Sequence, residues 1–144
     1  MTPFLLDINV LLGIAWQDQQ SHTTVFPWFK STGRQNFATC AISQSGFVRI
    51  SSSVQFRPNP VSIKEAFQAL TTLIEMPGHT FWPIDIGILE ATASFADKLF
   101  GPLQLTDAYL LGLAITNGGT LVTRDRAIPQ LAGKAFAKHV LLLK

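Results

Sequence analysis

An apolar run near the start of the chain, FLLDINVLL, carries one carboxylate, Asp7, with Asn9 two residues on. A carboxylate among leucines and valines is costly unless a hydrogen bond, a helix start or a cation takes up its charge. Two more aspartates stand in comparable settings. Asp107 opens the apolar stretch TDAYLLGLA, and Asp125 follows the run TLVT. Each has a local use. Asp7 can cap a helix, Asp107 can face the positive end of a helix dipole in its first turn, and Asp125 can sit in a turn paired with Arg124 or Arg126. Gathered in one place, three like charges repel, and they persist together mainly around a divalent cation. Ligation by oxygen alone selects Mg2+ or Mn2+.

Whether the fold gathers them depends on the elements between them. Short apolar runs predict strands over 4–6, 37–41, 79–84, 120–123 and 139–143. Helical spacing covers 7–16, 21–33, 43–54, 61–76, 87–100 and 106–119. Ser43 is the expected N-cap of the third helix, and Ser62 with Glu65 has capping-box spacing in the fourth. The RPNP run at 57–60 is a break. Strands alternating with helices argue for an α/β domain with a mainly parallel sheet covered on both faces. In such sheets ligands bind beyond the carboxyl ends of the strands, where strand order reverses. Asp7 and Asp125 each follow a strand directly. Asp107 starts a helix that runs antiparallel to the strands, so it returns to the same edge. Three carboxylates spread over more than a hundred residues are therefore expected on one rim.

Composition narrows the partners. The 144 residues suit one domain, 1–144, with a real core. Hydrophobic residues make up 47% and charged residues only 14%, against about 25% in typical soluble domains. Much of the surface is therefore expected to lie against a partner or a second copy. A net charge of +2 is too weak to argue for nucleic acid by itself. The lone cysteine, Cys40, excludes an intrachain disulfide and reads as a small core residue. A reduced, cytoplasmic setting fits. Neither a signal peptide nor a membrane-spanning run is expected. His22, His79 and His139 lack zinc-ligand spacing, the serines form no triad with a histidine, and NGG at 117–119 is followed by no Lys-Ser or Lys-Thr of a phosphate loop.

At this point the residues resemble a family. LLDINVLL, TDAYLLGLA and TLVTRD are similar to the signature blocks of PIN domains, and ATCAISQSGFVRISS resembles the VapC-type toxins of bacterial toxin–antitoxin pairs. The likeness runs nearly end to end, in order. It implies a five-stranded, mainly parallel sheet flanked by helices in three layers, an acidic metal site and Mg2+-dependent ribonuclease activity. Asp7, Asp107 and Asp125 match the metal-site aspartates. Asn9 matches the polar residue two beyond the first of them. Thr123 matches the hydroxyl residue that positions a water or a substrate oxygen. The implied partners are an RNA substrate, a cognate antitoxin and a second copy of the chain.

One position departs from the pattern. The family has a glutamate on the helix after the second strand, and this chain has Gln44. An amide can accept a hydrogen bond but brings no charge, so a second metal should suffer most. Gln44 is a natural variant, a silencing substitution, or a position whose role passes to another acid such as Asp85 or Asp97. The expected chemistry is hydrolysis of an RNA phosphodiester by water, with a metal polarising the phosphate. The other readings are a PIN nuclease that processes RNA and a weakened PIN domain that binds RNA or protein without cutting. Arg34, Arg49, Arg57, Lys64, Arg124 and Arg126 are the candidate phosphate contacts, with Arg124 and Arg126 the better placed. Trp16, Phe26, Trp28 and Phe29 belong to the core or to an interface.

Overall fold

Every strand pairs in parallel in the computed structural model, which describes residues 1–144. The strands are β1 (Phe4–Leu6), β2 (Phe37–Cys40), β3 (His79–Trp82), β4 (Thr120–Thr123) and β5 (Val140–Leu142). Their order across the sheet is β3-β2-β1-β4-β5. The chain moves outward from β1 to β3, then returns to β4 on the other side of β1. The strand order thus reverses between β1 and β4, and a crevice opens at the carboxyl ends of that pair.

Alternation along the strands builds two cores. Leu6, Phe37 and Val122 face one side, where α1 (Ile8–Ala15), α2 (His22–Ser31), α3 (Ala41–Ser51) and α4 (Ile63–Ile74) supply Val10, Leu11, Val25, Phe29, Phe47 and Leu73. Leu5, Ala38, Cys40 and Leu121 face the other, against α5 (Ile88–Thr92), α6 (Leu105–Thr116) and α7 (Ala127–Ala132). Each crossover then has the right-handed sense that twisted strands impose. The result is the three-layer α/β domain that the alternation predicts.

Three local expectations change. The N-cap of α3 is Cys40, and Ser43 sits one turn in. There the Ser43 hydroxyl accepts from the Cys40 N–H and donates to the Cys40 carbonyl, both at 3.0 Å. Strand β3 stops at Trp82 because Pro83 has no N–H to offer the sheet. The helix predicted over 87–100 is α-helical only as far as Thr92 and continues as a 3-10 turn over Ala93–Lys98. The Thr92 hydroxyl donates back to the Ile88 carbonyl at 2.7 Å, and the tighter turn drops Phe95 into the core against Phe136. The capping box of α4 forms as its spacing predicts: Ser62 Oγ accepts from the Glu65 N–H and Glu65 Oε1 from the Ser62 N–H.

Helix α6 carries Asp107, and its placement depends on one glycine. A Cβ at Gly112 would lie 2.1 Å from the Ala91 carbonyl oxygen, so α5 and α6 touch backbone to backbone. Gly118, at φ +66°, then turns the chain into β4. Gly112→Ala should lower stability by about 1–3 kcal/mol, as overpacking does, with a matching shift of the urea midpoint; an unchanged midpoint would mean that the two helices part freely.

Candidate active site

The crevice between β1 and β4 is organised by one hydroxyl. Thr123, the last residue of β4, donates from Oγ1 to Asp7 Oδ2 at 2.7 Å. The same oxygen accepts the Asp125 N–H at 3.0 Å. Asp7 follows β1 directly, and its N–H reaches the Val122 carbonyl of β4. Its other oxygen, Oδ1, accepts the Ile8 N–H at 2.8 Å and so caps α1. The capping use and the rim position are therefore the same fact. Asp125 Oδ1 accepts the Ala127 N–H at 2.9 Å, which shapes the turn into α7. Asn9 Oδ1 accepts the Arg124 N–H at 3.4 Å, tying α1 to the same turn.

Electrostatics shows that the third aspartate faces the other two. Asp107 has its carboxyl pushed up to about 7, first by burial, then by the charges of Asp7 and Asp125 and a hydrogen bond with Asp125. Asp7 is raised as well. Burial dominates there, opposed by the bonds from Thr123 and Ile8. Asp7 and Asp107 thus both resist ionisation, held up first by burial and then by the charge of Asp125 beside them.

The neighbouring cations do not relieve this. The one ion pair in the chain joins Arg57 to Asp18 at 2.7 Å. Neither Arg124 nor Arg126 pairs with Asp125, and Nη1 of Arg124 is buried with no partner. Arg57 is withdrawn from the candidate phosphate contacts: it is 3% exposed, bonds the Ser51 carbonyl and lies over the Trp16 ring. Trp16 in turn donates to Ser51 Oγ and stacks on Phe47, so it is a packing residue.

Gln44 is tied to the end of the second strand. Its Nε2 donates to Thr39 Oγ1 at 3.0 Å, and Thr39 Oγ1 stands 2.7 Å from His79 Nε2. Burial lowers the His79 pKa, so the ring is neutral near pH 7, while the Ile74 carbonyl opposes the shift from its own side of the ring. With a proton on the nitrogen facing Ile74, His79 Nε2 accepts from the Thr39 hydroxyl, which leaves the Thr39 oxygen free to accept the Gln44 amide. A glutamate at 44 would bring no such donor. Thr39 and His79 escaped the sequence reading because their meeting depends on the register of β2 against β3. Thr123 is fully buried, and its hydroxyl is engaged on one side by Asp7 and on the other by the Asp125 N–H.

A PIN domain profile matches residues 4–134. The chain belongs to the PIN-domain family. Ribonuclease VapC44 of Mycobacterium tuberculosis is 37% identical over 137 residues, covering 95% of this chain and 96% of that protein. Ribonuclease VapC39 of the same species is 34% identical over 134 residues, covering 93% and 96%. The solved structure of VapBC2 from Rickettsia felis, bound to a DNA fragment from their promoter, shares the fold with a TM-score of 0.65. It covers 99% of each chain at 11% identity.

The donors of this PIN domain suit a hard divalent cation. They are carboxylate oxygens with no soft ligand among them, and the raised Asp107 marks a place where positive charge is missing. No three acidic or imidazole side chains stand close enough to share one ion as they are, and both oxygens of Asp7 and one of Asp125 already accept hydrogen bonds. Such a spacing suits a hard divalent cation that keeps several waters and takes one or two carboxylates directly.

Two outcomes follow. Thr123→Val should cost about 1–3 kcal/mol in urea unfolding, the penalty of a buried acceptor left without its donor, and Thr123→Ser should restore most of it. The second concerns pH. The folded Asp107 holds its proton up to about pH 7, whereas an unfolded aspartate loses it near 3.8. Its contribution to stability is therefore full below that lower value and is lost as pH climbs through 7. Solvent reaches this group, which trims the effect to the order of 1 kcal/mol. Asp107→Asn should flatten that fall in thermal melts run without divalent metal, and an identical pH slope in the variant would contradict the assignment.

Proposed function

We propose that this chain is a metal-dependent endoribonuclease, the toxin of a VapBC-type pair, cutting RNA phosphodiester bonds. The observation that carries the reading is the triple use of the β1–β4 crevice. Thr123 clamps Asp7 and Asp125, and the helix held by Gly112 brings Asp107 against them. The family and its ribonuclease relatives point the same way.

In this reading Asp7, Asp107 and Asp125 hold Mg2+ or Mn2+. A divalent ion there supplies positive charge to the phosphate and makes water a competent nucleophile at neutral pH. The chain's own groups do the rest. Thr123 fixes the angle between two carboxylates, and Asn9 braces the turn that carries Asp125. Asp107, with a pKa of about 7, loses its proton as positive charge arrives. No side-chain nucleophile is needed.

Partners suit the surface. Val54, Ile63 and Phe67 are exposed around a groove of about 900 Å3 between α3 and α4. Ile84, Ile88 and Leu105 border a second apolar hollow beside α5. Two such faces fit a second copy of the chain and an antitoxin. No helix is long and apolar enough to cross a membrane.

Gln44 favours one competing reading, a PIN domain that binds without cutting, since its amide is turned to Thr39 and adds no charge. Incubating the purified chain with RNA and Mg2+ or Mn2+ separates the two. Cleavage that EDTA stops, and that Asp107→Asn lowers by at least two orders of magnitude, is the expected result. Cleavage by Gln44→Glu alone would favour the binding-only form, and none by either protein would sink the nuclease reading.

A further inference from the structure

A small cleft lies beside the acidic rim and is not used by the chemistry above. Its volume is about 320 Å3, and it lies between the 3-10 turn Ala93–Lys98, the segment before α6, and α7. Asp97, Lys98, Phe100, Gln104, Gln130 and Leu131 line it, together with Ala127. We propose that this cleft is a nucleobase subsite, taking the base of a nucleotide that flanks the phosphate at the acidic centre. The proposal rests on the ribonuclease reading and deepens it.

Position is the first argument. The walls belong to the segments that carry the aspartates. Ala127 is bonded through its N–H to Asp125 Oδ1, and Gln104 caps α6 three residues before Asp107. A strand of RNA with one phosphate at the crevice has an adjoining nucleoside within reach of this hollow.

Presentation is the second. Phe100 is 93% exposed, the most exposed aromatic ring in the chain. Its backbone N–H donates to Gln104 Oε1 at 2.7 Å, which ties the segment to the start of α6. An apolar ring offered to water on a tethered turn, at the lip of a cleft, is a platform. Bases stack on such rings in single-stranded RNA, whatever their sequence.

Chemistry is the third. With Gln104 Oε1 engaged, the amide N–H groups of this lining residue remain as donors, and Gln130, also in the lining, is exposed. Amides can donate to and accept from the edge of a base. Lys98 Nζ donates to the Leu131 carbonyl at 3.3 Å and fixes the cleft's width. The formal charges of Asp97 and Lys98 cancel, so the lining suits a neutral base better than a bare phosphate. The hollow beside α5, lined by isoleucines and Leu105, has no comparable polar set and suits protein. The volume falls at the small end of ligand pockets, about 300–1,000 Å3.

The test uses the whole chain and two labelled probes of equal length, a short mixed-sequence RNA and its abasic counterpart. Binding is read by fluorescence anisotropy with Ca2+ in place of Mg2+, and the probes are checked for integrity afterwards. Phe100→Ala should weaken the base-bearing probe on the order of tenfold, the size of one lost base stack, and leave the abasic probe alone. Gln130→Ala should change the ranking among RNAs made of a single base. Equal losses on both probes, or no loss on either, overturn the subsite. So does a Phe100→Ala variant whose sedimentation changes while its RNA affinity does not, because Phe100 then belongs to a contact between copies. Wild-type protein that binds both probes equally overturns the subsite alone. Wild-type protein that binds neither removes the ribonuclease reading and the subsite with it. Phe100 makes no core contact, so an unchanged thermal melt is expected for its variant.

Discussion

The hydroxyl of Thr123 holds two parts of the molecule in register. On one side it satisfies a carboxylate that the fold has taken out of water, and on the other it receives the backbone of the turn that carries Asp125. Without that proton, Asp7 would be a buried acceptor at the end of an apolar strand, and the simplest relief would be to let β1 and β4 part. With it, the charge can stay where two adjacent parallel strands end together. Helix α1 starts from the same carboxylate. The geometry of the rim and the start of the first helix therefore cannot be changed independently.

The chain keeps its charges in separate places. It has eleven basic and nine acidic side chains, yet its one ion pair includes none of the rim acids: Arg57 lies over the Trp16 ring and meets Asp18. The acids at the rim are left without a basic partner from the protein itself. An internal arginine on Asp125 would lower the repulsion and, by the same act, close the site to any cation from outside. The unrelieved repulsion is what gives the rim its appetite for positive charge.

Much of this could be read before any coordinates. Asp7 and Asp125 stand directly after short apolar runs, and strands alternating with helices place such residues on one edge. Asp107 needed one more step, the antiparallel return of its helix. The link from Gln44 through Thr39 to His79 could not be read. It joins residues up to forty positions apart through strand register, and a polar residue in an edge strand leaves no periodic mark. The burial of Arg57 was hidden for a similar reason. Nothing in RPNP indicates that its first residue turns back to an aspartate thirty-nine positions earlier. The division of the 87–100 helix turns on where Phe95 must land, which is a property of the core and not of the local sequence.

The bond from Thr123 to Asp7 spans 116 positions in the chain. A polypeptide leaving the ribosome delivers Asp7 more than a hundred residues before β4 and Asp125. Until then the first carboxylate has no neighbour and the crevice has one wall. A chain that has not yet delivered β4 therefore has no acidic rim. This wiring ties the assembly of the rim to the closure of the sheet, however early its first carboxylate appears.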